Sequence, residues 1–559
     1  MTSLRQKCEN RLDALKSLRT DYEEEWFDIA RLAQPFRSRF LTGSRNGRSG
    51  SRTGKADRTT RRNWNSKLLD PHGIEAFRTL TNGMTSGLTS ASRPWFTLTL
   101  KNSDMMEEDG VRDWLSEVEK RMYSFLSGTN FYGAAKAGYA EMGLFGTEAC
   151  IMLDHPEEGA VCHNLTAGEY WIACGDAMRP DVLYRVAPMT VREVVQTFKS
   201  DTPKRVKRLY DQSSYTDIID IYHAIEPNSD FEPGRFGSKP WRSVYWDKDD
   251  EANQVIRESG HHEQPFWASR WDVASGETYG SSPGMDALPA LRELQMQVRR
   301  QNEVIDQLAF PEKVAPPGIR LTGQPRSVRT ASGVTKDNVF VPYAPPYQAV
   351  AAIEEKINGQ RTQIDGLSYA DLFNAITNMR GIQPRTVEEI AARNEEKLTQ
   401  LGPVIERVST EKLEIVVERA YGIMQRGGLL PPVPEAISNM PIDVEFVSIL
   451  TQMQRMVGIG QIERTAAFIG NVAGLKPDAA DKLDVDELID EYAERAGSPP
   501  RIIRSSKEVE SDRKARAQQE QMMQAAGAMP ALKDGAEAAR LLSEADATGK
   551  SAIDRLMPQ

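Results

Sequence analysis

The sequence contains one pattern typical of a serine nucleophile, Gly280-Ser281-Ser282-Pro283-Gly284. It matches the Gly-x-Ser-x-Gly turn, in which the backbone N–H after the serine forms half of an oxyanion hole. Proline has no backbone N–H, so Pro283 removes that donor. We therefore predict that these residues form a turn leading into a helix, and that Ser282 is not a nucleophile.

Two other segments partly match phosphate-binding loops, and neither meets the full requirement. Gly549-Lys550-Ser551 has Glu544 where the motif needs a glycine, and no strand precedes it. The stretch from Gly50 to Lys55 is one residue too short and is followed by Ala56. The sequence therefore predicts no nucleotide-hydrolysing site.

The candidate metal ligands are also poorly spaced. His261-His262-Glu263 lacks the His-Glu-x-x-His spacing of a zinc hydrolase. Asp484-x-Asp486-Glu487 fits an acidic cap at a helix N-terminus better than a metal cluster, because carboxylates there interact favourably with the helix dipole.

The cysteines offer a further alternative, a thiol and imidazole cluster. Ligands on one turn usually lie two to five residues apart, whereas these recur every twelve residues. We therefore interpret them as core thiols. The residues concerned are Cys150, Cys162 and Cys174, with His155 and His163 between them.

Composition narrows the classes of protein. The 559 residues are 40% hydrophobic and 27% charged, which suffices for a sizeable core, and Asp and Glu outnumber Lys and Arg by 80 to 70. A formal charge of −10 argues against a surface that wraps nucleic acid tightly. The sequence has no secretion signal pattern and no membrane-spanning apolar run, so we expect a soluble protein made in the cytosol. We predict no catalytic, cofactor-binding or metal-binding residues, and hence no enzyme.

Residues 37–62 form a basic segment against this acidic background. They contain nine Lys or Arg and one acid, Asp57, among Gly, Ser and Thr. Such a segment cannot build a core of its own. It is either a solvated loop or an arm that contacts phosphate or a partner, with Arg45, Arg48 and Arg52 as the candidate contacts.

The hydrophobic periodicity predicts an α+β fold that is mainly helical. Residues 3–33 have the spacing of an amphipathic helix, and residues 65–159 alternate helical and extended stretches. Residues 160–272 are strand-like. Four tryptophans in or near that region are interpreted as packing anchors rather than base-stacking platforms, namely Trp241, Trp246, Trp267 and Trp271.

One apolar pattern occurs twice, fifty-nine residues apart, and predicts two helices with narrow matched seams. Polar residues surround both seams, so we expect the helices to pack along one edge, to face water along the other, and to need neighbouring copies to finish burying the seams. An ordinary helix–loop–helix in a compact bundle is the alternative. The first seam consists of Leu291, Leu294, Val298, Ile305 and Leu308, and the second of Val350, Ile353, Ile357, Ile364 and Leu367.

The segments that follow are predicted in outline. Residues 311–345 are rich in Pro and Gly and suggest a loop-and-strand module at the end of the hairpin. After residues 369–384, residues 386–426 are predicted as a long helix with a capping box at Thr386 and a kink at Gly402-Pro403. A strand over 441–450 returns to an earlier sheet, and helices follow to residue 496.

Three short runs are informative together: GMTSGLTSASRPWF from Gly83, GLFGTEA from Gly143 and YGSSPGMDAL from Tyr279. In these runs, and in the order of its elements over about residues 1–500, the chain resembles the head-to-tail connector, or portal, proteins of short-tailed, podovirus-type bacteriophages. The resemblance implies a homo-oligomeric ring of twelve subunits at one capsid vertex of the virion, assembled in the host cytoplasm.

The resemblance also implies a portal fold divided into wing, stem, clip and crown. It implies a wing at 1–280, stem helices at 287–308 and 347–369, a clip at 311–345, a channel loop at 369–384, a long wing-to-crown helix at 386–426, a return to the wing at 427–450, a crown at 451–497, and a peripheral or disordered tail at 498–559.

The implied function is a non-enzymatic conduit for double-stranded DNA during packaging and ejection. Candidate DNA contacts on the channel loop are Asn374, Asn378 and Arg380. The implied partners are further copies of the chain, a terminase motor docking on 311–345, the major capsid and scaffolding proteins, and tail adaptors; a membrane is not among them. The alternatives are another virion structural protein, either a tail adaptor or an internal scaffold, and an enzyme using Ser282 or ATP.

Substituting Arg45, Arg48 and Arg52 with Ser tests the basic segment. If these residues contact phosphate, the slope of log affinity for DNA against log salt falls by about one unit per lost contact. The measurement is DNA binding over a salt series. An unchanged slope would exclude phosphate contact.

Overall fold

The computed structural model describes most of the chain, in two compact units, Met1–Val457 and Gly458–Gln559. In the described part helical residues outnumber strand residues, and the fold is mixed helix and sheet. The described residues are 3–41, 68–100, 110–235, 237–250, 254–311, 345–378, 400–434, 437, 442–447, 459–473, 483–496, 509, 512–516 and 518.

The first helix, α1, spans Leu4–Ala33, close to its predicted limits. The Ser3 side chain caps it by accepting from the backbone N–H of Gln6. Its apolar stripe, including Trp26 and Ile29, is buried in the core. A short 3-10 helix, Pro35–Phe40, follows.

Three helices and one strand surround the core of the first unit. These are α2 (His72–Leu88), β1 (Phe96–Leu100), α3 (Val111–Gly128) and α4 (Phe131–Phe145). Helix α4 is buried along most of its length and contacts α1 and α2. Strand β1 pairs antiparallel with β10 (Ile442–Phe446), which confirms the predicted returning strand.

Two further antiparallel sheets complete the first unit. The three-stranded sheet has the order β3-β2-β9 and the five-stranded sheet the order β4-β5-β6-β7-β8. Their strands are β2 (Ala149–His155), β3 (Gly159–Leu165), β4 (Tyr170–Cys174), β5 (Pro180–Thr190), β6 (Ile218–Pro227), β7 (Trp241–Asp247), β8 (Arg257–His261) and β9 (Phe266–Trp267).

The strand-like region also contains two short helices that periodicity missed. They are α5 (Val191–Phe198) and α6 (Lys204–Asp211). A capping box between Thr190 and Glu193 begins α5. The four tryptophans of the region are buried or half-buried packing residues, as predicted.

The two seam helices form an antiparallel pair, α7 (Pro283–Ala309) and α8 (Gln348–Leu367). The structure corrects the predicted loop at 369–384, because Ala370–Asn378 is helical (α9). The loop prediction failed because Leu372 and Phe373 are buried core residues. Residues 379–384, the capping box at Thr386 and most of the 311–345 module lie outside the described residues.

The described part of the long helix begins at residue 400. It runs through one π-helical turn, Ser409–Leu413, into α10 (Glu414–Arg426). Gly427 and Gly428 end it, as predicted. The π-helical turn had no signal in the hydrophobic pattern.

The second unit contains α11 (Ile459–Ala473) and α12 (Val485–Ala496). The carboxylate of Asp484 accepts from the backbone N–H groups of Asp486 and Glu487, which confirms the predicted acidic cap. Arg513 pairs with Asp486 at 2.5 Å. Across the described residues of both units, no helix is sufficiently long and apolar to span a bilayer.

Gly146 lies where two distant segments come closest. It ends α4 with a φ of +77°, in the left-handed region that favours glycine. A Cβ at this position would lie 1.9 Å from the carbonyl oxygen of Gly280. Both the backbone angle and the neighbouring backbone therefore require glycine.

Gly146→Ala is expected to destabilise the first unit by roughly 1–3 kcal/mol from the left-handed backbone alone, with the clash adding to that. Gly133 on α4 is the matched control, because a Cβ there meets nothing within 4 Å. Gly133→Ala should stabilise by about 0.5–1 kcal/mol. Urea unfolding of both variants measures this, and equal midpoints would contradict the role of Gly146.

Candidate assembly site at the base of the helical hairpin

Helix α7 begins at a joint between two of the three runs that carried the resemblance. The Ser282 hydroxyl donates to the Leu144 carbonyl at 2.8 Å and accepts from the backbone N–H of Met285 at 3.1 Å. Ser282 is buried and acts as the helix N-cap. The predicted turn into a helix is confirmed, and the hydroxyl is committed to structure rather than to a nucleophile's role.

The joint depends on close backbone approach. A Cβ at Gly284 would lie 2.3 Å from the carbonyl oxygen of Leu144, in addition to the contact between Gly146 and Gly280. The Gly280 N–H also donates to the Thr147 hydroxyl at 2.9 Å. Because backbone meets backbone here, the starting point of α7 is fixed to the end of α4.

The third run lies close to the same helices. A Cβ at Gly83 on α2 would lie 2.1 Å from Cδ1 of Phe373 on α9. Glycine at this position lets the Phe373 ring pack directly on α2. The run from Gly83 therefore positions α9, just as the other two runs position α7.

The inner half of the hairpin is buried within one chain. Leu291, Leu294 and Ile364 are fully buried, and Ile357 is 3% exposed. This corrects the expectation that the seams need other copies for their burial, because α7 and α8 cover each other and the core covers both. Pro289 lies inside α7 near this base.

The outer half of the hairpin is progressively less buried. Val298 and Ile353 are half-buried and pack against the core, as does Leu367 at the base end of α8. Nearer the tip, Leu308 and Val350 are half-buried and Ile305 is 44% exposed. At the tip, Phe310 is 64% and Tyr347 is 79% exposed. A role for this half in contacts between copies stays a prediction.

A short segment before α2 clamps both helices of the hairpin. The side-chain oxygen of Gln295 accepts from the N–H groups of Leu69 and Asp70, and its amide donates to the Asp70 carbonyl. Arg361 on α8 pairs with the Asp70 carboxylate at 2.7 Å. Each helix is thus tied to the same residue, which fixes the direction in which the hairpin leaves the unit.

The three channel candidates are only partly described. Asn374 is exposed on α9. Asn378 is the last residue of that helix, and Arg380 lies outside the described residues. Their contact with DNA stays a prediction.

The basic segment is likewise described only at its start. Arg37 is not part of a solvated loop, because it ion-pairs with the buried Glu141. Arg45, Arg48 and Arg52 lie outside the described residues. Any basic arm therefore begins after Arg37.

Residues of the π-helical turn anchor the long helix through buried charges that sequence reasoning missed. Glu411 accepts from the Arg270 guanidinium at 2.5 Å and from its backbone N–H at 3.0 Å. The Lys412 ammonium lies 2.7 Å from the Glu148 carboxylate and 3.7 Å above the Tyr139 ring. Glu411 and Lys412 are adjacent, and they attach one turn to two different segments.

A second cluster of charges follows two turns later. Arg419 pairs with Glu263 at 2.7 Å and with Asp154, and Arg426 also pairs with Glu263. Burial opposes ionisation of Glu263, but hydrogen bonds from the two arginines outweigh it and hold its pKa below the ordinary value. The helix is therefore attached to β2 and to the segment between β8 and β9.

The candidate metal ligands do not come together in one site. Cys150 and Cys162 are buried on paired strands, and Cys174 accepts from Arg270. His155 accepts from backbone N–H groups in the β2–β3 turn, and burial lowers the pKa of His261 to about 4. Within the described ranges no three His, Cys, Asp or Glu side chains could hold a metal ion together.

Comparison with known families identifies the chain. The family model described as bacteriophage head to tail connecting protein matches residues 5–503. The chain belongs to this family. The resemblance carried by the three runs is thereby confirmed, and the base of the hairpin is the joint that they build in this connector.

Two curated relatives match this connector over nearly its whole length. The portal protein of Salmonella phage epsilon15 is 34% identical over 549 residues, 97% of this chain and 96% of the relative. The probable portal protein of Bordetella phage BPP-1 is 33% identical over 558 residues, with the same coverage. A chain in the virion of a native gene transfer agent particle aligns with 72% of the connector and 86% of its own length, at 11% identity and a TM-score of 0.32, which is too low to support an argument.

Removing the cation from the Glu148–Lys412 pair should be strongly destabilising. In Lys412→Met the connector keeps a buried carboxylate without its cation, which costs about 3–5 kcal/mol. The double variant Lys412→Met with Glu148→Gln should recover most of that loss. Urea unfolding of the single and double variants measures the coupling, and additive losses would contradict it.

The same variant predicts a pH dependence. Burial raises the pKa of Glu148, and Lys412 partly offsets this. A folded-state pKa above the unfolded value means that stability falls as pH rises through that interval. The loss in free energy of unfolding caused by Lys412→Met should therefore be larger at about pH 8 than at about pH 5.

Proposed function

We propose that this connector is the portal subunit of a phage virion. Twelve copies form a closed ring at one capsid vertex, and double-stranded DNA passes through the ring during packaging and ejection. The number twelve comes from the resemblance to portal proteins. The observation that carries the proposal, beyond family membership, is the hairpin of α7 and α8.

The hairpin exposes apolar surface that contact with other copies would bury. Its base is sealed by Leu291 and Ile357, whereas Ile305, Phe310 and Tyr347 expose large apolar surfaces toward the tip. Exposed apolar groups rimmed by charged ones mark interaction surfaces. A ring of hairpins would cover these groups near the tip.

The charge of the chain suits a conduit. DNA must slide, and each phosphate neutralised by a fixed cation tightens binding through counterion release. Twelve copies at −10 carry about −120. A mainly acidic channel repels the backbone of DNA, and a few polar contacts such as Asn374 suffice to guide it.

We propose the division into regions that the resemblance to portal proteins implies. The wing comprises 1–280 and 427–450, the stem 287–308 and 347–369, the clip 311–345, the channel segment 369–384, the wing-to-crown helix 386–426 and the crown 451–497. The clip docks the terminase motor and, after packaging, the tail adaptors. The wing meets the major capsid and scaffolding proteins.

Particle mass and symmetry test the proposal. The purified chain should give a mass of about twelve subunits by light scattering and ring images with a central opening. A stable monomer across salt and protein concentrations would falsify the proposal.

Ile305 provides a matched pair of variants for the same experiment. Ile305→Asn should reduce the ring fraction by about tenfold or more, since a loss of 1.4 kcal/mol per interface corresponds to tenfold. Ile305→Leu should assemble normally, because it keeps the apolar surface.

A further inference from the structure

Because the base of the seam is buried within one chain, it does not identify the surface of the hairpin that contacts a neighbouring copy. We propose that the outer face of α7 in one copy packs against the outer face of α8 in the next, with Met296 over Gly359 and Arg300 opposite Glu355. This inference rests on the proposed ring. It adds to the contact at the tip a second contact, farther down the hairpin, through the faces opposite the seam.

The outer face of α7 is basic, with one apolar residue at its centre. Met296 is 47% exposed and lies about half a turn from the buried Leu294. Arg299 and Arg300 flank it, and both are exposed. A large exposed methionine among charged side chains adapts readily to a partner surface.

The outer face of α8 carries a small residue with open space around it. Gly359 lies inside the helix, and a Cβ built there meets nothing within 4 Å. Glycine in a helix interior is less favourable than alanine. No described packing of this chain accounts for Gly359, whereas the close approach of another helix would.

The two faces carry complementary charge. Glu354 and Glu355 are exposed on α8, and neither forms an ion pair with another described residue. The nearby Lys356 is already paired with Glu293 of the same chain at 2.7 Å. On the outer face of α7, Arg300 is the cation that faces no described carboxylate within ion-pair distance.

A single register satisfies both contacts. Helix α7 runs toward the tip of the hairpin and α8 runs back, so adjacent copies would pack these helices antiparallel. One turn toward the tip from Met296 is Arg300, and one turn toward the tip from Gly359 is Glu355. Seating Met296 over Gly359 therefore brings Arg300 opposite Glu355 without further adjustment.

The geometry favours a second copy over a different partner. The two complementary faces belong to the same hairpin, and they differ from each other. Contacts between unlike faces of identical chains are heterologous and propagate around a ring until it closes. Each copy then gives its α7 face to one neighbour and its α8 face to the other.

Cysteine cross-linking tests the contact directly in the full-length chain. In a ring of Met296→Cys/Gly359→Cys subunits the two Cα atoms must come within about 7 Å for a disulfide. Mild oxidation should give a ladder of covalent oligomers on a non-reducing gel. The single variants are the controls and should give none. Rings that form and yield no ladder overturn the inference.

Size and charge variants provide an independent readout. Gly359→Leu places its Cβ in open space and should fold normally, yet should lower the ring fraction at least tenfold, whereas Gly133→Leu on α4 should not. Arg300→Glu should also weaken assembly, and adding Glu355→Arg should restore it. Rings formed equally well by Gly359→Leu overturn this inference alone, whereas absence of rings in the unaltered chain overturns the proposed function.

Discussion

The contact between the backbone at Leu144–Gly146 and the backbone at Gly280–Gly284 is the constraint on which the rest of the first unit depends. It joins the end of α4 to the start of α7 with backbone packed directly against backbone. The hydroxyl of Ser282 serves both partners, since it caps α7 and binds Leu144. A joint of this kind has almost no freedom of adjustment, so the hairpin leaves the unit in one direction.

Buried ion pairs fix the position of the long helix, as backbone contact fixes the position of the hairpin. Glu411 and Lys412 attach one π-helical turn to Arg270 and Glu148, and Arg419 repeats the attachment farther along. Ion pairs of this kind add little net stability over an apolar contact, but each one penalises alternative registers severely. The helix is therefore held in position along its axis as well as against the sheets.

Periodicity predicted the elements whose burial follows from local pattern, such as α1, α3, α7 and α8. It failed where contacts with residues distant in sequence determine the local structure. Helix α9 was not predicted, because nothing near residues 370–378 indicates that Gly83 receives Phe373. Likewise, Lys412 and Glu148 are ordinary charged residues in sequence, and only the fold brings them together. Leu291, Leu294, Ile357 and Ile364 of the two seams are buried, but whether one chain or several would bury them depended on the core beneath the hairpin, which no local pattern encodes.

The π-helical turn has a consequence for how the length of this chain can vary. A π turn holds one more residue than an α turn, and π turns are short interruptions of a continuous hydrogen-bonded helix. Loss of a single residue within this turn would convert it to an α turn and leave the helix beyond it in nearly the same orientation. Loss of a residue between Glu414 and Arg419 would instead rotate Arg419 and Arg426 by about 100°, away from Asp154 and Glu263. The length of the helix can therefore change by one residue at the π turn, whereas the spacing from Leu413 to the two arginines must stay constant.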